Sequence, residues 1–201
     1  MKIIGITGPT GAGKSSLSEY MRTRGIPVID ADRLYHSMLT PPSPCLDALR
    51  GAFGNEIFTV DGELDRKKLA DIVFNDESKL ELLNRTVLSI VLDEARRIFA
   101  EYEAEGKWIA AIDAPTLIES GFCSECHTVI SVICDPDIRI ERIILRDGLD
   151  RSAAEDRVRA QKPNGFYTES SDIVINNDCG EEKFLNECKA LVDSLLGEGA
   201  L

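Results

Sequence analysis

The residues best suited to chemistry lie close to the start of the chain, at Gly8–Ser15, where the sequence reads GPTGAGKS. This stretch matches the pattern G-x-x-x-x-G-K-[ST] of a phosphate-binding loop. Its glycines let successive backbone N–H groups turn toward a phosphate, and the N-terminus of a following helix adds donors and partial positive charge. The Lys14 ammonium can reach the outer phosphates of a nucleotide, and the Ser15 hydroxyl can bind Mg²⁺. The motif therefore predicts a nucleotide site.

A second candidate site follows the next apolar run, where Asp30 and Asp32 lie two residues apart. The carboxyl ends of strands in a parallel sheet meet at the ligand crevice. A carboxylate there can accept the proton of an attacking hydroxyl or hold a Mg²⁺-bound water. Either carboxylate can instead cap the next helix. The spacing alone leaves both assignments open.

The elements that position these residues are predicted by five short runs rich in Ile and Val, of the kind that form strands buried in a parallel sheet. Helical patterns alternate with the runs, which predicts an α/β fold with a doubly wound sheet of the P-loop NTPase type. The five predicted strands are Ile3–Thr7, Ile26–Asp30, Trp108–Asp113, Thr128–Cys134 and Asp172–Ile175.

The long interval between the second and third predicted strands carries mainly helical patterns. It is too long for one crossover, so it indicates a helical insertion at the ligand edge of the sheet. The helical patterns are Leu46–Phe53, Arg66–Asn75 and Ser78–Tyr102.

A second helical insertion follows the fourth predicted strand, with helices expected over Asp137–Arg146 and Ser152–Gln161. Arginines in this segment can pair with nearby acids on a solvated face, the candidates being Glu141, Asp147, Glu155 and Asp156. In a protein with a phosphate-binding loop, the same hairpin suits a lid that closes over the γ-phosphate. Arg142 and Arg146 are four residues apart, so they project from one face of the helix. The basic residues of the segment are Arg139, Arg142, Arg146, Arg151, Arg157, Arg159 and Lys162.

The composition limits the classes of function. Of the 201 residues, 43% are hydrophobic, which suffices for a sizeable core. The net charge of −12 argues against a nucleic-acid-binding surface, because such a surface needs a broad basic face. No stretch resembles a secretory signal, and no apolar run approaches the roughly 20 residues of a membrane span. We therefore expect a soluble, cytoplasmic protein with neither a nucleic-acid nor a membrane partner.

One cysteine motif has an apparent chemical meaning. Cys123–His127 spells C-x-x-C-H, the pattern of haem attachment. A zinc site would need a second pair of ligands, and His36 is the only other histidine. Without a secretory signal we expect the cysteines to be reduced. The segment is therefore predicted to be a loop that leads into the fourth strand.

Short motifs along most of the chain occur in a characteristic order. Ile29–Asp32 reads I-D-A-D, Asp113–Gly121 is similar to D-x-P-L-L-x-E-S-G, and Ser171–Asn177 to A-D-x-V-I-x-N. With the phosphate-binding loop, these motifs resemble the dephospho-coenzyme A kinase family. Further matching positions are Phe53-Gly54, Asp61–Arg66, Leu69, Ile72–Phe74, Leu83-Asn84, Asp135-Pro136, Arg142, Arg146-Asp147, Arg157 and Gln161.

The resemblance implies three parts. These are a nucleotide-binding P-loop core at 1–32, 107–136 and 170–201, a helical acceptor-binding domain for CoA at 33–106, and a lid at 137–169. It also implies ATP-dependent phosphorylation of the ribose 3′-hydroxyl of dephospho-CoA, the last step of coenzyme A biosynthesis, with ATP and dephospho-CoA as substrates.

The resemblance also implies roles for single residues. Asp32 would be the base or orienting group for the acceptor hydroxyl, and Lys14, Arg142 and Arg146 would neutralise charge on the transferring phosphoryl. Mg²⁺ would be bound directly by Ser15, with Asp32 a candidate ligand through water. The residues expected to bind the nucleotide are Gly8, Gly11, Ala12, Gly13, Lys14, Ser15, Ser16 and Asn177.

The chain differs from the family pattern at three places. Pro9-Thr10 replaces Gly-Ile in the loop, Arg139 replaces a glutamine, and Leu88-Ser89 replaces His-Pro on the acceptor side. A P-loop kinase for another small molecule or nucleoside, or a non-catalytic nucleotide-binding regulator, are the alternatives. The long insertion favours a bulky acceptor, and intact Lys14 and Asp32 favour an enzyme.

Overall fold

A computed structural model describes residues 1–74 and 76–197. Its five strands form one sheet in the order β2-β3-β1-β4-β5, and the central pairings are parallel. The predicted α/β class is confirmed. The strands are β1 (Lys2–Thr7), β2 (Val28–Asp30), β3 (Ile109–Asp113), β4 (Thr128–Ile133) and β5 (Ile173–Asn176).

The described residues also form nine α-helices. Asn75, the predicted last residue of the Arg66 helix, lies outside the described residues. The helices are α1 (Lys14–Thr23), α2 (Ala31–Ser37), α3 (Pro44–Phe53), α4 (Arg66–Phe74), α5 (Glu77–Ala104), α6 (Pro136–Asp147), α7 (Arg151–Arg159), α8 (Asn164–Glu169) and α9 (Glu181–Gly197).

Prolines explain where several elements begin. β2 starts after Pro27, which has no N–H for the ladder, rather than at Ile26 as predicted. The helices α3 and α6 each start on a proline that occupies the first helical turn, because the missing N–H is not needed there. Asp135 caps α6 by accepting a hydrogen bond from the Asp137 N–H at 2.8 Å.

The core lies around the central strand. Ile4 and Ile6 of β1 are fully buried, and they are aligned in register with Ala111 of β3 and Ile130 of β4. Burying apolar side chains on both faces of such a sheet is the main force that holds it together. The helices α1 and α9 add to the same cluster Leu17, Met21, Phe184, Cys188, Val192 and Leu195.

The chain divides into two compact units. One contains residues 1–29 and the chain from Tyr102 onward, and the other spans Asp30–Glu101. The second unit has its own apolar cluster on α3, α4 and the turn between them, with Cys45, Leu49 and Ile57 fully buried. The finer division into core, acceptor domain and lid remains a prediction.

The C-x-x-C-H segment forms a 3₁₀ turn over Phe122–Glu125 and leads into β4. Cys126 packs so closely on β1 that a Cβ at Gly5 would lie 2.9 Å from its sulfur. Burial raises the pKa of the Cys126 thiol to about 12. The His127 Nδ1 accepts the Ile3 N–H at 3.0 Å. The segment is therefore packed against the central strand β1.

Within residues 1–74 and 76–197, no helix is long and apolar enough to cross a membrane, and no three side chains of His, Cys, Asp or Glu form a metal-binding group.

Candidate active site

The loop between β1 and α1 has a backbone shape that only glycine supports. Gly8 has a φ of 134°, and a Cβ there would lie 2.0 Å from the backbone oxygen of Val132. Gly13 has a φ of 109°, and its Cβ would lie 2.3 Å from the Asn177 Nδ2. Larger residues are excluded both by φ and by space. Only glycine therefore fits at these two positions of the motif.

The cationic end of Lys14 lies at the loop itself. Its Nζ donates to the carbonyl oxygens of Gly8 at 2.7 Å and Pro9 at 3.3 Å. Gly13 is the N-cap of α1, and no side chain of the described residues caps this helix end. The first turn also contains no acidic residue, while Ser15 and Ser16 are exposed there. An uncapped helix N-terminus beside a lysine is an arrangement that favours an anion.

Asn177 ties the loop to the end of β5. Its buried side chain donates from Nδ2 to the Ala12 carbonyl at 2.8 Å, and its backbone N–H donates to the Ile133 carbonyl at 2.9 Å. Fixing the Ala12 carbonyl in this direction also fixes the adjoining peptide N–H groups. In this structure the Asn177 side chain therefore supports the loop.

Arg142 reaches the loop from α6. Its Nη1 donates to the Gly11 carbonyl at 3.3 Å and contacts the Cys134 sulfur, while its Nη2 donates to the Asn177 backbone oxygen at 3.1 Å and its Oδ1 at 3.3 Å. All of these partners are neutral groups. The structure thus brings Arg142 together with Gly11 and Asn177, and its guanidinium charge lies beside the phosphate-binding loop.

Arg146, predicted to act with Arg142, lies in an exposed ion-pair cluster. Its guanidinium contacts Asp147 at 2.7 and 2.9 Å, and Asp147 also binds Arg157 at 2.7 Å. Arg146 and Arg157 hold the pKa of the Asp147 carboxyl below its usual range. The interpretation as a solvated, ion-paired face is confirmed for several arginines of the segment. The remaining pairs are Arg151–Glu141, Arg151–Glu155 and Arg159–Asp156.

The tip of the loop is held on both sides of Thr10. Its N–H donates to Gln161 Oε1 at 2.8 Å, and its carbonyl accepts from Arg139 Nε at 2.9 Å. Gln161 follows α7, whose helix ends at Arg159 rather than at the predicted Gln161. The side chains of the hairpin therefore position the loop.

Sequence reasoning missed one candidate functional residue, Asp113, whose role it left unassigned. Asp113 is the last residue of β3 and pairs with Ile6 of β1, which lies two residues before Gly8. Its carboxylate accepts a hydrogen bond from the buried Ser18 hydroxyl at 2.7 Å. A carboxylate at this place can hold Mg²⁺ through water. The signal was present as four apolar residues followed by an aspartate in Ile109–Asp113.

The two carboxylates after β2 have different surroundings. Asp30 is the N-cap of α2, and its Oδ1 accepts the Arg33 N–H at 2.9 Å. Asp32 lies in the first turn of α2 and is exposed. The capping role belongs to Asp30, so Asp32 is the better candidate for chemistry.

A parallel sheet with a glycine loop, a lysine and a serine between β1 and α1 defines the class of P-loop nucleotide-binding folds. The family model for dephospho-CoA kinase matches residues 2–183. The dephospho-CoA kinase of Shouchella clausii is 34% identical over 192 residues, which cover 96% of each chain. This chain belongs to the dephospho-CoA kinase family.

Solved structures share the fold of this chain. A protein from Thermus thermophilus is 31% identical, with a TM-score of 0.77 over 96% of this chain and 97% of that one. The dephospho-CoA kinase from Campylobacter jejuni superposes with a TM-score of 0.71 over the full length of both chains. At 23% identity, the second likeness shows the fold alone.

Proposed function

We propose that this protein transfers the γ-phosphoryl group of ATP to the ribose 3′-hydroxyl of dephospho-CoA, giving coenzyme A and ADP. Family membership supports the reaction and both substrates. The observation that carries the proposal is the phosphate-binding loop, with the Lys14 ammonium 2.7 Å from the Gly8 carbonyl and an uncapped α1 behind it. In this reaction, positioning and charge neutralisation supply most of the catalysis.

Lys14 and Arg142 are the cations assigned to the transferring phosphoryl. Both side chains donate hydrogen bonds to backbone carbonyls of the phosphate-binding loop. Each cation is therefore close to the loop that would surround a bound phosphate. Arg146 is assigned a secondary part, because reaching the nucleotide requires it to leave Asp147. A closing movement of the 137–169 segment would supply that change.

The oxygen donors near the loop fit Mg²⁺, a hard cation that keeps several waters and few protein ligands. The Ser15 hydroxyl would bind it directly, and the Asp113 carboxylate, already oriented by Ser18, would hold one of its waters. Asp32 is a further candidate ligand through water. When bound, the ion neutralises charge on the β- and γ-phosphates.

Asp32 is assigned as the base, or orienting group, for the 3′-hydroxyl of the acceptor. It is exposed, and the neighbouring Asp30 caps α2 in its place. A carboxylate that accepts the hydroxyl proton is the usual device for activating such an acceptor. The dephospho-CoA site is assigned to the unit that follows β2, with Arg66–Lys68 as candidate contacts for the acceptor's pyrophosphate.

An acceptor screen tests the proposal. ADP release is measured with ATP, Mg²⁺ and one acceptor at a time: dephospho-CoA, adenosine, AMP, shikimate or none. We expect dephospho-CoA to be the only acceptor of this panel that raises ADP release well above the acceptor-free rate. Faster release with another acceptor would overturn the substrate assignment, and release that no acceptor increases would overturn the kinase assignment.

A further inference from the structure

Arg139 is the most deeply buried charged side chain of the described residues, with 2% of its surface exposed. It projects from α6 toward the phosphate-binding loop, where its Nε donates to the Thr10 carbonyl at 2.9 Å. Its Nη2 is buried and has no hydrogen-bond partner within residues 1–74 and 76–197. One arm of the guanidinium is therefore left unsatisfied.

No carboxylate of the described residues pairs with Arg139, whereas four other arginines of the same hairpin form ion pairs. The ionisable groups whose charge would act on the Arg139 guanidinium are Tyr167 and Cys134, both neutral at ordinary pH. Burial lowers the pKa of the guanidinium, yet arginine stays protonated in proteins. The side chain thus carries a buried positive charge that no carboxylate of the described residues compensates.

This charge lies against the phosphate-binding loop. A Cβ at Gly11 would lie 3.1 Å from the Arg139 backbone oxygen and 3.3 Å from its Cα and Cβ. Thr10, which Arg139 binds, is the residue before Gly11 in the loop. An unpaired buried charge destabilises a folded protein, and an opposite charge nearby removes that penalty, since the low local dielectric strengthens the attraction.

We propose that Arg139 is a positioning residue whose fixed charge behind the loop uses the phosphates of the nucleotide as its counter-ion. It holds the loop through Thr10, destabilises the empty protein and tightens nucleotide binding without touching the substrate. The inference rests on the proposed nucleotide site, and it concerns a position where this chain has arginine in place of the family glutamine.

Three variants separate charge from hydrogen bonding. Arg139→Gln keeps a donor at the position of Nε but removes the charge. Arg139→Lys keeps the charge but lacks that donor, and Arg139→Met lacks both. Arg159→Gln is the matched control, because Arg159 is exposed on α7 and paired with Asp156 at 3.0 Å.

The readouts are the Tm without nucleotide and the Kd values of ATP and inorganic tripolyphosphate, measured without any acceptor. For Arg139→Gln we expect the nucleotide-free Tm to rise by about 2–4 °C and both Kd values to increase about tenfold. The Kd of tripolyphosphate should change as much as that of ATP, because the Arg139 charge acts on the phosphates and not on the adenine. Arg139→Lys should stay within about threefold of the parent Kd, and Arg159→Gln should match the parent.

A nucleotide-free Tm that falls in Arg139→Gln, together with an ATP Kd within twofold of the parent, would overturn the proposal and leave Arg139 a structural tie. Equal weakening by Gln and Lys would overturn it too, because the hydrogen bond and not the charge would then matter. These measurements involve no acceptor, so a failure of dephospho-CoA phosphorylation would sink the proposed function without altering them.

Discussion

Single side chains around the phosphate-binding loop have separable tasks. Asn177 and Arg139 support the loop by donating hydrogen bonds to the carbonyls of Ala12 and Thr10, whereas Lys14 donates to the Gly8 carbonyl. Substitution of Lys14 should therefore change catalysis more than folding. Substitution of Asn177 or Arg139 should change both.

The first prediction concerns Lys14. Removing its ammonium in Lys14→Ala should lower kcat about 10²–10³-fold or more and raise the KM for ATP, because a preorganised charge on the transferring phosphoryl is lost. Thermal unfolding should change little. Lys189→Ala, an exposed site on α9, serves as the control for general effects of losing a lysine. Undiminished turnover in Lys14→Ala would remove the kinase interpretation of the loop.

The second prediction separates the two carboxylates after β2. Asp32→Asn should lower kcat by about 10²–10⁴-fold with little change in ATP affinity, the range expected for loss of a general base. Asp30→Asn should retain kcat and most stability, since asparagine caps helices about as well as aspartate. Steady-state kinetics decide the matter. A dead Asp30→Asn beside an active Asp32→Asn would reverse the assignment.

At the scale of elements, the loop depends on its backbone shape. Gly8→Ala should lower the free energy of unfolding by at least about 2 kcal/mol, because the new methyl meets the Val132 carbonyl of β4 and the φ is unfavourable. Gly165→Ala on α8 is the matched control, as nothing lies within 4 Å of its Cβ position. Denaturant titration measures both. Equal stability of the two variants would show that β4 moves to accommodate the methyl.

Arg142 of α6 and Gln161, which follows α7, contact the phosphate-binding loop. The segment that contains them is therefore placed where it could close over a bound nucleotide. ATP together with dephospho-CoA should slow amide hydrogen exchange across 137–165, because a closed lid exposes fewer backbone groups. Exchange in α9 over Glu181–Gly197 should change less. Identical exchange of 137–165 with and without substrates would argue against a lid.

At the scale of the whole molecule, the sequence predicted the features that short patterns determine. Runs of Ile and Val predicted the five strands, and Gly8–Ser15 predicted the loop, since these signals are local. The sequence left open which of Asp30 and Asp32 caps α2, because both lie at the start of that helix. The contacts of Arg139 and Arg142 with the loop could not be predicted, because they depend on which face of α6 meets a neighbour far along the chain.

One departure from the family pattern has a structural correlate. Leu88 and Ser89, in place of His-Pro, lie inside α5, which runs without interruption from Glu77 to Ala104. A proline at 89 would cost about 3 kcal/mol in the interior of such a helix. The absence of a proline at position 89 therefore fits the uninterrupted helix α5.

The proposed activity is transfer of phosphate to the 3′-hydroxyl of dephospho-CoA. Incubation with ATP, Mg²⁺ and dephospho-CoA, followed by ³¹P nuclear magnetic resonance and mass spectrometry of the product, tests it most directly. We expect one new phosphate monoester on the ribose 3′ oxygen, and none with Lys14→Ala. Unmodified dephospho-CoA, or a phosphate on any other oxygen, would contradict the proposed activity.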